Sequence, residues 1–369
     1  MRRNSGFSLI ELLVAVTITI AIVGVSLDAL NQGQRASEAI SLMSNMTENL
    51  RAGMDQMQHD LVLAGSGIPT GGISIPNGSG VPINQPSPTG DAYTFAVGST
   101  AISAVTPGFG LGPLISGTVN SDMVTIIYAD NQTFPPDTVA APEGLPLSGN
   151  IINDPGAVAP DTPCNGSINS TGTSVIFDAT CVVFNAGNGA IGTGDLIMFS
   201  NAQGNTLEYV TGVTGQVMAF VKGDPYGLNG RTDPAGTIYQ LQSASAPNPV
   251  TYPPTTATRI WMVTYYLDNT NPSGPRLMRQ VNFFTPEPVA ESIEALWITY
   301  NFVNGTACGA TCSNQPIPPA GMTANQMMSA NLFLGARSDK AFSWTKQTFR
   351  NNLVAQISLR GLAFTNQFQ

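Results

Sequence analysis

Residues 6–14 read Gly6-Phe7-Ser8-Leu9-Ile10-Glu11-Leu12-Leu13-Val14, and the glutamate inside that run decides how the chain is built. Beyond it no charge appears from Leu12 to Leu27. A charged side chain at such depth in a membrane helix costs about 3 kcal/mol on insertion scales, so it calls for a partner. Arg2 and Arg3 precede the run, and basic flanks hold that end in the cytoplasm. As a helix, residues 7–30 reach about 36 Å, enough for a hydrocarbon core of about 30 Å. An ordinary secretory signal fits less well. Its apolar core is shorter, about 7–15 residues, and it closes on a small-residue cleavage site. Here the core is followed by Asp28-Ala29-Leu30-Asn31.

The helical pattern does not stop at the membrane boundary. Ile40, Met43, Met46, Leu50, Met54, Met57 and Leu61 recur at steps of three and four, the stripe of an amphipathic helix. Arg35, Glu38, Glu48, Arg51, Asp55 and Asp60 fall between them. Gly65-Ser66-Gly67-Ile68-Pro69 supplies a stop signal. The expectation is one helix over 7–64, about 87 Å long. Its first part, 7–30, is apolar all round, and 31–64 has one apolar face suited to a sheet. Asn31-Gln32-Gly33-Gln34 is the expected place for a bend. The methionines of the stripe read as core filling.

The Gly6-Phe7 junction with Glu11 beyond it resembles the class III signal of type IV prepilins and pseudopilins. The resemblance implies a leader over residues 1–6 and cleavage by prepilin peptidase between Gly6 and Phe7. It also implies N-methylation of Phe7 and a role for Glu11 in subunit assembly. A looser similarity lies near the other end. Val263–Asn269, Gly274–Val281, Val289–Tyr300 and Thr348–Arg360 resemble segments of PilW-type minor pilins: a strand with Tyr265-Tyr266, a Leu-x-Arg strand, and a closing strand with arginine. This implies an α+β, pilin-like fold, a long N-terminal helix on a β-rich head. The implied function is a non-enzymatic minor pilin, a structural subunit that primes type IV pilus assembly at or near the tip. Its partners would be other minor and major pilins through the helix, and prepilin peptidase. Its location would be the inner membrane, with the head periplasmic, then the cell-surface pilus. Two alternatives stand beside it: a type II secretion minor pseudopilin, and a surface adhesin with a pilin stem and a ligand-binding head.

After a Gly/Pro/Ser-rich loop over 65–90, the head over 91–369 reads as short strands between turn signals. Strands are expected at 92–97, 122–128, 174–177, 195–200, 216–222 and 237–241, then at 259–267, 276–282, 296–302 and 353–359. In 353–359 Leu353, Ala355, Ile357 and Leu359 alternate with Val354, Gln356 and Ser358, the pattern of a strand buried on one side. Segments 98–120, 130–173 and 303–340 carry few strand signals and read as long loops.

Only 10% of the 369 residues are charged, against about 25% in an average soluble domain. The net charge is −9, and such a lysine-poor chain makes a poor general binder of nucleic acid. Cys164, Cys181, Cys308 and Cys312 all fall in the exported part, which favours disulfides. The local pairing, Cys164–Cys181 and Cys308–Cys312, is expected. The first would stabilise by about 3 kcal/mol in the chain-entropy model. Zinc is disfavoured, because only Cys308 and Cys312 have ligand-like spacing and His59 is the single histidine. That histidine lies on the helix, so no Ser-His-Asp triad forms without borrowing from it. Asp224–Asp233 carries oxygen ligands and glycines but not the order of a calcium loop, and reads as a turn. No cofactor, metal or catalytic residue is expected.

Overall fold

The computed structural model describes residues 8–75, 83–86, 94–95, 101–115, 117–130, 150–152, 166–177, 191–231, 236–243, 252–271, 274–303, 312–320 and 322–362. One helix, α1 (Leu9–Leu63), holds 55 residues and is about 82 Å long. It stays helical through Asn31–Gln34, where Gln32 Nε2 donates to Asp28 Oδ2 at 2.8 Å across one turn. Gly65 takes the chain off the helix at φ +79°, a conformation other residues adopt at a cost. Its N–H donates to the Ile127 carbonyl at 3.0 Å, handing the chain to the sheet.

Seventeen strands follow among the described residues. They are β1 (Ile73–Ser74), β2 (Ala101–Ile102), β3 (Val105–Gly108), β4 (Met123–Ala129), β5 (Asn150–Ile152), β6 (Gly166–Ile168), β7 (Ser174–Phe177), β8 (Leu196–Asn201) and β9 (Gly204–Tyr209). Then come β10 (Gly212–Thr214), β11 (Val217–Ala219), β12 (Thr255–Asp268), β13 (Arg276–Val281), β14 (Glu287–Glu291), β15 (Ile293–Phe302), β16 (Met327–Arg337) and β17 (Arg350–Ser358). The fold is α+β. An eight-stranded sheet is built around β12, a three-stranded sheet runs β15-β16-β17, and smaller sheets run β10-β11-β7-β6 and β1-β2.

The 14-residue strand β12 is long enough to serve two sets of neighbours. Its first half pairs with β5 and β8, and its second half with β4 and β13. Asn282 fills the break between β13 and β8. It takes φ +49°, donates its N–H to the Met262 carbonyl at 2.7 Å, and accepts the Met262 N–H on Oδ1 at 3.1 Å. Asparagine suits the place because it tolerates the left-handed region and its side chain mimics a backbone partner.

The faces of β12 belong to different cores. Val263, Tyr265 and Leu267 join Met46, Leu50, Met54, Met57 and Leu61 of α1, with Leu296, Leu332 and Leu334 of the three-stranded sheet. Each such buried side chain contributes about 1.5–3 kcal/mol. Ile260 and Met262 face the other way, into a cluster with Ile73, Ile102, Ile127 and Tyr226. Strand β8 divides again: Leu196 and Met198 enter that cluster, while Ile197 and Phe199 pack with Val175, Phe177 and Met218. The head thus has a helix-side core and a distal lobe drawn largely from residues 73–241.

Several sequence expectations are corrected. Residues 327–337, read as loop within 303–340, form β16, the middle strand of its sheet. Asn331, Gly335 and flanking Met327-Met328 break the usual strand signal, and pairing on both sides overrides it. Thr237–Leu241 is a 3-10 helix rather than a strand, because Ile238 donates to a buried carboxyl group, that of Glu208, instead of a ladder. Short strands also lie within 98–120 (β2, β3), within 130–173 (β5, β6) and within the 65–90 loop (β1). On α1, Ile40 and Met43 stay 68% and 38% exposed, and Leu42 is buried instead. The row Leu42-Met46-Leu50-Met54 follows the i, i+4 ridge that meets the sheet.

Candidate functional site

The first thirty described residues, 8–37, are exposed on every side and lie clear of the head. An 18-residue window here has mean hydropathy 2.4, and none of it is buried. Three hydroxyls in this stretch are satisfied by the helix itself. Thr17 donates to the Val14 carbonyl at 2.9 Å, Thr19 to Ala15 at 2.8 Å, and Ser26 to Ile22 at 2.8 Å. These bonds let the hydroxyls enter an apolar medium without a loose donor. Glu11 differs. One carboxylate oxygen accepts the Ser8 N–H at 3.0 Å, covering an orphan amide of the first turn. The rest of that charge faces outward at the head of a run that is uncharged from Leu12 to Leu27. Gly6 and Phe7 lie outside the described residues.

The stem leaves the head at Glu38. Its carboxylate accepts the Ser343 hydroxyl at 2.7 Å and the Ser343 N–H at 3.0 Å. In the last turn at the other end, Asp60 is fully buried. Periodicity places Asp60 off the apolar stripe, yet it is the pivot of the helix–head contact. Oδ2 accepts the Tyr265 hydroxyl and Arg279 Nε, each at 2.7 Å, and Oδ1 lies 3.4 Å from the Tyr128 hydroxyl. The same Tyr265 hydroxyl lies 3.2 Å from the Gln56 carbonyl. β4, β12 and β13 are thereby bound to one turn of α1. Burial, then the Asp60 charge, pushes the Tyr128 and Tyr265 hydroxyls well above the ordinary tyrosine range. For Arg279 burial works downward, but the bond and charge of Asp60 prevail and hold the guanidinium charged. The only signal for this lock in the sequence is an aspartate one position before the stripe residue Leu61.

A cleft of about 520 Å³ opens beside the lock, lined by Gln56, His59, Asp60, Tyr128, Trp261 and Arg279 among others. His59 Nδ1 is 3.3 Å from Asp60 Oδ1, with its side chain 67% exposed. No serine, threonine or cysteine stands among the described lining residues. Asp224 has its oxygens taken by the N–H groups of Tyr226, Leu228 and Asn229 at 2.9–3.2 Å, which is turn chemistry, as the sequence suggests. No group of three metal-ligating side chains occurs among the described residues. Cys312 is buried and disulfide-bonded, while Cys164, Cys181 and Cys308 lie outside the described residues.

Residues 1–27 match the family described as the prokaryotic N-terminal methylation motif. No curated protein and no solved structure matches the chain. The motif, the long apolar helix and the antiparallel, β-rich head together support a type IV pilin-like or pseudopilin-like protein with a prepilin-type signal. Such a signal implies processing by prepilin peptidase, association with pilus components, and anchoring in the inner membrane.

Proposed function

We propose that the protein is a non-enzymatic minor pilin of the PilW type, which primes pilus assembly and stands at or near the tip. The observation that carries this reading is the stem: about 30 exposed residues, uncharged from Leu12 to Leu27, with one carboxylate, Glu11, at the head of that run close to the processing site. Prepilin peptidase removes residues 1–6, and Phe7 becomes the methylated N-terminus. Before assembly the stem sits in the inner membrane with the head in the periplasm. In the filament it exchanges lipid for the stems of other minor and major pilins. Glu11 then pairs with the methylated amine of Phe7 on a neighbouring subunit, and a subunit in the wrong register leaves both charges unpaired. The large distal lobe favours a terminal position, since a crowded shaft has less room for it.

Glu11→Ala tests the reading. Membrane insertion, cleavage and head folding are expected to be unchanged, while co-purification with other minor pilins and the number of pili fall. Normal piliation with normal co-purification would refute the assembly role. Intact-mass measurement checks processing: loss of residues 1–6 and gain of one methyl group are expected.

A further inference from the structure

The three-stranded sheet has two unlike faces. Its inner face carries Leu296, Ile298, Tyr300, Leu332, Leu334 and Ile357 into the core with α1. Its outer face is ordered by strand register into rows. Trp297, Phe333 and Val354 stand opposite one another across β15, β16 and β17. The next row is Thr299, Asn331 and Gln356, and the one after it Asn301, Ser329 and Ser358. Rows on one face repeat about every 7 Å along the strands.

The first row is an aromatic shelf. Trp297 and Phe333 stack with ring centroids 4.8 Å apart and planes 23° from parallel. Phe333 leans over Gly335, where an added Cβ would meet its ring at 3.4 Å, so covering a glycine in the strand accounts for the phenylalanine. It does not account for the tryptophan, which remains 40% exposed beside Val354 at 66%.

The neighbouring rows are polar and held in place by one another. Asn301 Nδ2 donates to Ser329 Oγ at 2.8 Å, Asn331 Nδ2 to Asn314 Oδ1 at 2.8 Å, and Gln356 Nε2 to Ser329 Oγ at 3.2 Å. All nine side chains of these rows are uncharged in a chain of net charge −9. The Glu294–Arg350 ion pair, at 2.6 Å, is set outside them in the strand register.

We propose that this face binds a neutral oligosaccharide, with a sugar ring against Trp297 and its hydroxyls bonded to Asn331, Gln356 and Asn301. Carbohydrate chemistry suits the face on both counts. A pyranose has an apolar C–H side that packs on an aromatic ring, and an edge of hydroxyls that both donate and accept, as amides do. The neutral rows select against charged polymers, since an anionic chain would meet an acidic protein with no cation in the platform. A second pilin docked here would bury preformed amide pairs for a single apolar row, a poorer exchange. The inference does not depend on the place of the protein in a filament.

The test uses the full chain in detergent micelles and linear neutral hexasaccharides of glucose, mannose, galactose and N-acetylglucosamine. Saturation-transfer NMR and tryptophan fluorescence report binding. At least one hexasaccharide is expected to bind. Trp297→Ala is expected to weaken it about tenfold or more, in line with losing an aromatic contact and its buried area. Trp297→Tyr should retain most of the binding, and Asn331→Ala should alter which sugar is preferred. Trp344→Ala, at a separate stacked pair with Phe342, is the control and should bind as the parent does. Thermal melts confirm that the variants fold. Binding of none of the sugars, or unchanged binding by folded Trp297→Ala, overturns the proposal. So does concentration-dependent self-association abolished by Trp297→Ala without sugar binding, which would assign the face to a second copy.

Discussion

Replacing Asp60 by alanine should loosen the helix from the head, and the size of the effect can be worked from the geometry. The substitution removes two 2.7 Å bonds, from Tyr265 and Arg279, and a longer one from Tyr128. It leaves a guanidinium facing a site where the carboxylate was 1% exposed. Breaking one partner of a buried ion pair costs about 3–5 kcal/mol. Arg279 is itself 23% exposed and recovers some hydration, which puts the expected loss near the lower end, about 3 kcal/mol. For a head of this size that corresponds to a melting point lower by about 6 °C. Asp60→Asn keeps an acceptor and should lose roughly half as much, about 1.5 kcal/mol, by giving up the charge-assisted part. The pair replacement Asp60→Leu with Arg279→Met should recover much of the loss, because no charge is left behind. Thermal denaturation of the full chain in micelles measures the melting points. Hydrogen exchange over 50–63 and 260–281 shows whether the loss is local. A shift below about 1 °C in Asp60→Ala, or exchange that changes elsewhere but not in these segments, would refute the assignment of Asp60 as the lock.

Three further outcomes are expected. Gly53→Val should destabilise by about 2 kcal/mol despite its better helix propensity, since even a Cβ there would sit 3.0 Å from Leu277 and 3.2 Å from Ala290; an unchanged melting point would contradict the close approach. Glu208 is fully buried, and desolvation raises its carboxyl pKa well above 4.5, so the folded chain holds a proton that the unfolded chain releases. That contribution is present below about pH 4.5 and is lost as pH rises towards the folded value, so Glu208→Gln should gain stability relative to the parent as pH increases from 5 to 8, read by melts across that range. Peptide mapping without reductant is expected to recover Cys164 joined to Cys181 and Cys308 joined to Cys312, and any other pairing rejects the local scheme.

The long-helix plan and the elements whose pattern is local are legible in the order of residues alone. An uncharged run beyond Glu11 and a stripe at steps of three and four need no knowledge of partners, and α1 appears within two residues of its expected ends. Strands such as Ser174–Phe177 and Arg276–Val281 were equally legible, because alternation and flanking turns lie within a few residues. Which polar groups turn inward and which weak strands are rescued depends instead on long-range packing. Asp60 reads as one more solvated charge until Tyr265 and Arg279, more than 200 positions away, close on it. Met327–Arg337 has a poor local signal and becomes a central strand through ladders on both edges. The row of Trp297, Phe333 and Val354 exists only in the register of three strands. Helix and turn propensities act over a few bonds, whereas burial and strand pairing depend on residues that meet only when the chain is folded.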